Sequence, residues 1–223
     1  CGGKVVDEKL FSTVKRVDPI GLNSVKSKTL KKSDFISKDK TQKTNIIGII
    51  EGKIITEHLH DEIPIVNGDK SPDTSKDLVR VSVIERHGKN NNIANGFVRG
   101  FGLKKGAVAS TVAHDHHNIV SIGIDYEDMA IACNRLKEIK GGFVIASQGK
   151  ITAELSLPIA GLMSLESFEI VRDKLTDLRG SAKDLGITLE EPFLQLAFLA
   201  LPVIPSLKIT DHGLVDVEKF KII

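Results

Sequence analysis

Apolar and polar positions change rhythm along this chain, and each rhythm predicts a different kind of element. Up to about residue 70 the apolar residues come in short bursts between polar turns. Ile46-Ile47-Gly48-Ile49-Ile50, the turn Glu51-Gly52-Lys53 and Ile54-Ile55-Thr56 read as a hairpin. Asn67-Gly68-Asp69-Lys70-Ser71-Pro72-Asp73 is dense in turn residues and marks a boundary. From Leu78 onward Val79, Val81 and Val83 alternate with Arg80 and Ser82, the period of a half-buried strand. Residues 107–113 and 119–124 predict two more strands. A helix then opens at Asp125, with Asp128 three residues on as a capping pattern. It places Met129, Ala132, Cys133, Leu136 and Ile139 on one face.

A second helix starting near Ser164 carries Phe168, Val171, Leu175, Leu178, Ala182 and Leu185 at steps of three and four, with Gly186 just past its end. Between the helices, residues 143–146 and 151–157 flank Gln148-Gly149 as the turn of a hairpin. Residues 192–201 are apolar on all sides, with Pro192 in the first turn and Pro202 behind, which predicts a buried helix. Adjacent pairs of strands with helices between them argue for an α+β fold. We expect a layered sheet-and-helix domain over residues 71–223, preceded by a small β-rich segment, residues 1–70. The helices starting near Asp125 and Ser164 should pack on one sheet, with residues 1–70 kept out of its centre.

Composition narrows the partners. Aromatic residues are 4% of the chain against 41% apolar, so the core must be aliphatic. A net charge of +2 hides an asymmetry: residues 1–45 carry 11 Lys/Arg against 5 Asp/Glu, and the remainder 20 against 24. The lysine-rich stretch 26–43 lacks interleaved aromatics or an Arg-rich motif, so it reads as a solvated face and no nucleic-acid partner is expected. The longest apolar run, 197–204, is broken by Pro202 and far too short to span a bilayer, so no membrane partner is expected either. Cys1 and Cys133 give neither a disulfide framework nor a Cys-based zinc site, and Cys133 on the core face of a helix should be inert. Cys1-Gly2-Gly3 would suit a processed lipoprotein terminus, but no spacer separates it from the strand-like Lys4-Val5-Val6. The absent initiator Met suggests a piece of a longer protein, with cytoplasmic residence as the default.

The chemistry-bearing residues are few. Gly96, Gly100, Gly102 and Gly106 mark a backbone that turns tightly or passes close to something. Beyond them comes His114-Asp115-His116-His117-Asn118. A carboxylate beside imidazoles can fix a tautomer or raise basicity. In an extended chain Asp115 and His117 would share one side, His114 and His116 the other. The alternative is a polar turn whose side chains satisfy one another. A self-contained metal site would need a distant ligand, for which Glu85 and His87 are the candidates. His58-Leu59-His60 has the spacing that puts two imidazoles on one face of a strand, but it leads into Asp61-Glu62, so both are expected exposed and unliganded. Glu154 reads as a surface carboxylate. No phosphate loop, Ser-His-Asp order or nucleophile elbow is present.

Taken together, several segments resemble the C-terminal region of the adenine deaminases of the amidohydrolase superfamily. They are Ile84-Glu85-Arg86-His87, Gly96-Phe97-Val98-Arg99-Gly100-Phe101-Gly102-Leu103-Lys104, Ala113-His114-Asp115 with His117-Asn118, Pro158-Ile159-Ala160-Gly161-Leu162-Met163-Ser164, and Leu199-Ala200-Leu201-Pro202-Val203-Ile204-Pro205 with Leu207-Lys208 and Thr210-Asp211. They stand in the family's order over residues 78–217; residues 1–70 fit more loosely, as the β-rich piece between catalytic barrel and tail domain. Where the family has a small hydroxyl residue, this chain has His116.

The resemblance implies a metal-dependent hydrolase that converts adenine to hypoxanthine and ammonia in purine salvage. A manganese or iron centre would generate the attacking hydroxide. It implies that the ligands lie on an N-terminal (β/α)8 barrel absent from these residues, so this chain alone should bind no metal and be inactive. His114, Asp115, His117 and Asn118 would then form a wall or a supporting layer over the active-site mouth, with the glycine-rich approach letting the loop come close. Adenine, the missing barrel and a possible homo-oligomer are the implied partners. Two other readings stay open: a non-catalytic packing or oligomerisation domain, and a free-standing metal-binding protein using His114, His116 and His117.

Overall fold

The computed structural model describes residues 2–9, 18–37 and 41–223. Cys1 and part of the lysine-rich stretch, residues 38–40, lie outside them, and Lys4-Val5-Val6 forms no strand. The centre is an eight-stranded mixed sheet built from β1 (Lys43–Ile49), β2 (Thr56–Glu62), β5 (Leu78–Ile84), β6 (Ile93–Arg99), β7 (Ala107–Ser110), β8 (Ile119–Gly123), β9 (Gly142–Ser147) and β10 (Lys150–Ser156). Their order across the sheet is β10-β9-β7-β8-β5-β6-β1-β2. β3 (Ile65–Val66) and β4 (Asp69–Lys70) pair with each other; β11 (Leu207–Thr210), β12 (Gly213–Asp216) and β13 (Lys221–Ile222) make a small second sheet. Among the described residues, the complete α-helices are α1 (Tyr126–Glu138), α2 (Phe168–Asp184) and α3 (Pro192–Phe198). The fold is α+β. Among the described residues no helix is long and apolar enough to cross a membrane.

Parity along the strands decides which layer each side chain meets, because successive residues point to opposite faces. Val79, Val81 and Val83 of β5, Val108 of β7, Val120 and Ile122 of β8 and Ile145 of β9 face a layer containing Leu178 and Ala182 of α2, Phe193 and Leu196 of α3, and Leu207 and Ile209 of β11. Ile84, Ala107, Ala109, Ile119, Val144 and Ala146 face the opposite layer, made by Met129, Ala132, Cys133 and Leu136 of α1 with Val25, Leu30 and Phe35. The two longer helices thus share one sheet but cover opposite faces. Cys133 is buried there, and burial pushes its thiol up to about 12.

Double coverage corrects the reading of β5 as half-buried: all seven of its residues are buried. Its polar positions need partners inside, since an unpaired buried charge or hydroxyl is costly. The Arg80 guanidinium pairs with Asp69 at 3.0 Å, donates to Lys70 O and the Tyr126 hydroxyl, and lies over the Phe97 ring. The Ser82 hydroxyl donates to Asn95 at 2.6 Å.

The hairpin of β1 and β2 joins the sheet at its edge, where β1 runs parallel to β6. Residues 43–62 therefore extend the sheet without entering its centre, and residue 70 marks no break in it. Lys208 on β11 is buried and donates to the carbonyls of Ile54, in the hairpin loop, and Phe198, at the end of α3. With no carboxylate to offset its desolvation, its ammonium is pulled down to about 8.

Helix ends follow the sequence signals. The Asp125 carboxylate accepts from the Glu127 and Asp128 N–H groups and caps α1. α2 begins after Ser167 instead of Ser164, and Gly186 follows it at φ +94°. Glycines of the run pack against the chain's own backbone. A Cβ on Gly102 would stand 2.9 Å from Gly186 O, and one on Gly106 would stand 2.5 Å from Ala146 O. The Asp77 carboxylate fixes the turn by accepting from the N–H groups of Gly100 and Gly102.

Candidate functional site

The strand register brings three irregular segments to one end of the large sheet. Ile84 stands opposite Ile119, Ser110 opposite both Val120 and Phe143, and Gly142 opposite Ser156. The segments 85–92, 111–118 and 157–163 leave from that end. The last turn of α3 closes over them: the His114 N–H donates to Ala197 O at 3.2 Å, and its ring stacks on Phe198 with centroids 5.1 Å apart.

The histidine loop is a turn and not an extended strand, which changes the pairing of its side chains. The His117 N–H donates to Ala113 O at 2.8 Å, and His117 has φ +49°. That fold-back sets the His114 and His117 rings 6.0 Å apart, where alternation put them on opposite sides. Asp115 lies at the tip with its side chain 82% exposed, its Oδ1 3.7 Å from His114 Nδ1. His116 turns inward. Its Nδ1 accepts from the Asn118 N–H at 3.1 Å, and its carbonyl accepts from His87 Nε2 at 2.8 Å. Burial pulls the His116 and His117 imidazoles below their ordinary values, with Arg86 adding to the effect at His117, so both are neutral at pH 7. Asn118 is only 3% exposed. Its Oδ1 accepts from Arg86 N–H and its Nδ2 donates to Asp211.

Beneath the loop lies a layer of buried polar groups. Arg86 donates from Nε to His117 O, from Nη1 to the Ser24 carbonyl and hydroxyl, and from Nη2 to Ala160 O. Burial pulls the guanidinium down to about 10, so it is still charged at pH 7. The Thr111 hydroxyl donates to Gly161 O at 2.6 Å and accepts from the Gly142 N–H at 2.8 Å. Glu85, also buried, accepts from the N–H groups of His87, Lys89, Asn90 and Asn91. Burial alone would raise its carboxyl; the four N–H donors outweigh that and hold it low.

The Glu85 carboxylate accepts from four backbone N–H groups, and the His87 Nε2 is engaged with the His116 carbonyl. Among the described residues no group of three or more His, Cys, Asp or Glu is placed to hold a metal ion. The donor set does not fit manganese or iron. His58 and His60 lie within β2 itself and not at its exit; their centroids are 4.7 Å apart, His58 is half-buried and bonded to Asn45 Oδ1, and His60 is exposed. Glu154 is held by Arg135 of α1 through bonds of 2.7 and 2.8 Å, which keep its carboxyl below the usual range.

The sequence pattern points to His114, Asp115, His117 and Asn118, and the structure brings them together with two roles. His114, Asp115 and His117 are partly or wholly open, while Asn118 is a buried tie. Arg86, Thr111 and Asp211 carry the loop; Arg86 and Asp211 lie in segments that carry the family resemblance, but no spacing marks any of the three as a partner of the loop. Asp211 is 93 positions from the residue it binds, and Arg86 stands between the two residues that metal-ligand logic selects.

The adenine deaminase C-terminal domain model matches residues 53–221. An adenine deaminase of Cereibacter sphaeroides is 58% identical over 223 residues, covering 100% of this chain and 40% of its own length. Those of Sinorhizobium fredii and Brucella anthropi are 58% and 59% identical, over 100% and 98% of this chain and 39% of their own lengths. The chain thus spans about 40% of the length of the curated relatives it matches. With the match covering most of the strands and all three helices described above, the chain belongs to the adenine deaminase C-terminal domain family.

Proposed function

We propose that this chain is the C-terminal part of a longer adenine deaminase, a hydrolase that converts adenine to hypoxanthine and ammonia for purine salvage in the cytoplasm. The observation that carries the site assignment is the contrast within one turn. Asp115 is offered outward with His114 and His117 half-open beside it, while Arg86 and Asn118 hold the turn from below and Glu85 braces the neighbouring 87–91 turn. Three polar side chains presented on a braced loop suit hydrogen bonding to a purine edge, or to water beside it.

Among the described residues, no donor set fits the manganese or iron implied by the resemblance. We assign it to the part of the enzyme that the relatives carry in addition, the N-terminal barrel. Residues 1–70 are proposed as the bridge toward that barrel. Accordingly, this chain alone should show no deamination of adenine with added manganese, and the longer protein should. Turnover by the chain alone, well above the rate without protein, would overturn the assignment.

A second reading draws on one observation. Met163, Leu165, Phe168 and Ile170 are exposed on the turn after β10 and the start of α2, adjoining the segment that Arg86 holds. Such a cluster suits a packing role against the barrel or a second copy of the chain. The two readings are compatible on one surface.

A further inference from the structure

We propose that Arg86 is the positioning residue of the histidine loop, and that residue 161 is glycine because this guanidinium occupies the space a side chain would fill. The structural half stands by itself; its catalytic consequence rests on the reading of the loop as part of the active site.

A buried arginine is ordinarily paired with a carboxylate. Arg86 is 1% exposed, and every acceptor the structure gives it is a carbonyl or a hydroxyl. Those acceptors belong to three different irregular segments: residue 24 near the start of the described chain, residue 117 in the histidine loop, and residue 160 after β10. A planar fork with five N–H donors can serve all three at once, which a lysine cannot.

Two backbone positions show what the fork holds. His117 sits at φ +49°, uncommon for a residue with a side chain, and its carbonyl is taken by Arg86 Nε. Ala160 and Gly161 follow one another at φ +57° and +74°. A Cβ on Gly161 would stand 3.0 Å from both Nη1 and Nη2, so a side chain there, already strained by φ +74°, crowds the guanidinium by a few tenths of an ångström against its hold on Ala160 and Ser24. The first turn of the loop is thereby coupled to the 158–163 turn through one side chain fixed at the end of β5. The charged and titratable groups around His117 are Arg86, His114, Asp115, His116 and His87.

The test uses Arg86→Lys, which keeps the charge but loses the fork, and Gly161→Ala, which leaves Arg86 in place and crowds it. On the 223-residue chain, NMR follows the His117 ring. Both variants should move its resonance and raise its titration midpoint as the loop opens to water, while the ring resonance of His60, on the far edge of the sheet, stays in place. In the intact enzyme both should lower kcat by about 10²-fold with KM within about threefold, as expected for a reacting geometry displaced by about 1 Å.

Folded variants with an unmoved His117 overturn the proposal, including the case in which only the melting temperature falls. If Arg86→Lys does not fold, Gly161→Ala decides by the same readings. A displaced His117 with unchanged kcat supports the positioning role and instead overturns the assignment of the loop to the active site.

Discussion

The Asn118 side-chain amide donates to Asp211 Oδ1 at 3.1 Å, joining the histidine loop to the turn between β11 and β12. Asp211 also accepts from the Asn90 and Asn92 amides at 3.4 and 3.5 Å, so one carboxylate gathers three segments. Asn118→Ala removes a buried donor and leaves Arg86 N–H without its acceptor. Loss of such a partner costs ~1–3 kcal/mol. Urea denaturation of the chain should show this loss, and turnover of the intact enzyme should fall with it because the loop loses its shape.

His114, Asp115 and His117 should behave differently. Asp115 is open, the His114 ring rests on Phe198, and His117 is half-buried with no hydrogen bond at Nδ1, so alanine in their place should cost no more than about 1 kcal/mol. Turnover should fall about 10- to 100-fold, the scale seen when a supporting hydrogen-bond partner at a reacting site is lost. Turnover and melting temperature measured on the same three variants check this. Early melting with normal turnover in all three would make the loop scaffolding.

Lys208 gives a pH dependence of definite sign. Its folded value lies near 8 and its ordinary value is 10.5, so between those limits the unfolded chain holds a proton that the folded chain has released. Stability therefore rises with pH across that window, and the penalty for the buried charge is complete below it. In melting curves from pH 7 to 10.5, the wild type should gain on Lys208→Met between pH 8 and 10.5. Parallel profiles would show that Lys208 does not titrate in this range.

Gly142 should tolerate no side chain. It sits at φ +132°, and a Cβ would stand 1.8 Å from Leu155 O on the paired strand, a contact no rotamer can relieve. Gly142→Ala should cost about 4 kcal/mol or more, beyond the usual range for one substitution. Gly149→Ala is the control: it has a positive φ but nothing within 4 Å of the added carbon, so it should cost only about 1 kcal/mol. Equal losses in the two would refute the steric account.

Much of this fold is written in local pattern. The Asp125 cap, the Gln148-Gly149 turn, the apolar face of α1 and the Pro192 start of α3 each follow from a few neighbouring residues. The limits of β5 were legible, but its burial on both faces was not, because Arg80 and Ser82 look like solvent-facing residues until Asp69, Tyr126 and Asn95 are brought to them. The glycines announced close approach without saying to what, and the answer lies at Gly186 and Ala146, far along the chain. The histidine loop was found by composition alone. Its turn, the pairing of His114 with His117 and the inward role of His116 depend on Arg86, Ala197 and Asp211, which no spacing connects. β6 and the three strands near the end went unread, hidden by glycine in one case and by brevity in the others.

The parallel seam between β1 and β6 carries a practical consequence for where such a protein is divided. The family match begins at residue 53, inside the loop that joins β1 to β2. A polypeptide started there would lack β1, leaving β2 without its neighbour and the outer rim of β6 bare beside Phe97 and Val98. An uncovered apolar rim is a template for strand addition between copies. A boundary at or before residue 43 keeps the rim sealed by a hairpin whose outermost strand ends in Asp61 and Glu62, charges that discourage further pairing. The solubility of any separately produced version thus turns on ten residues upstream of the recognised family segment.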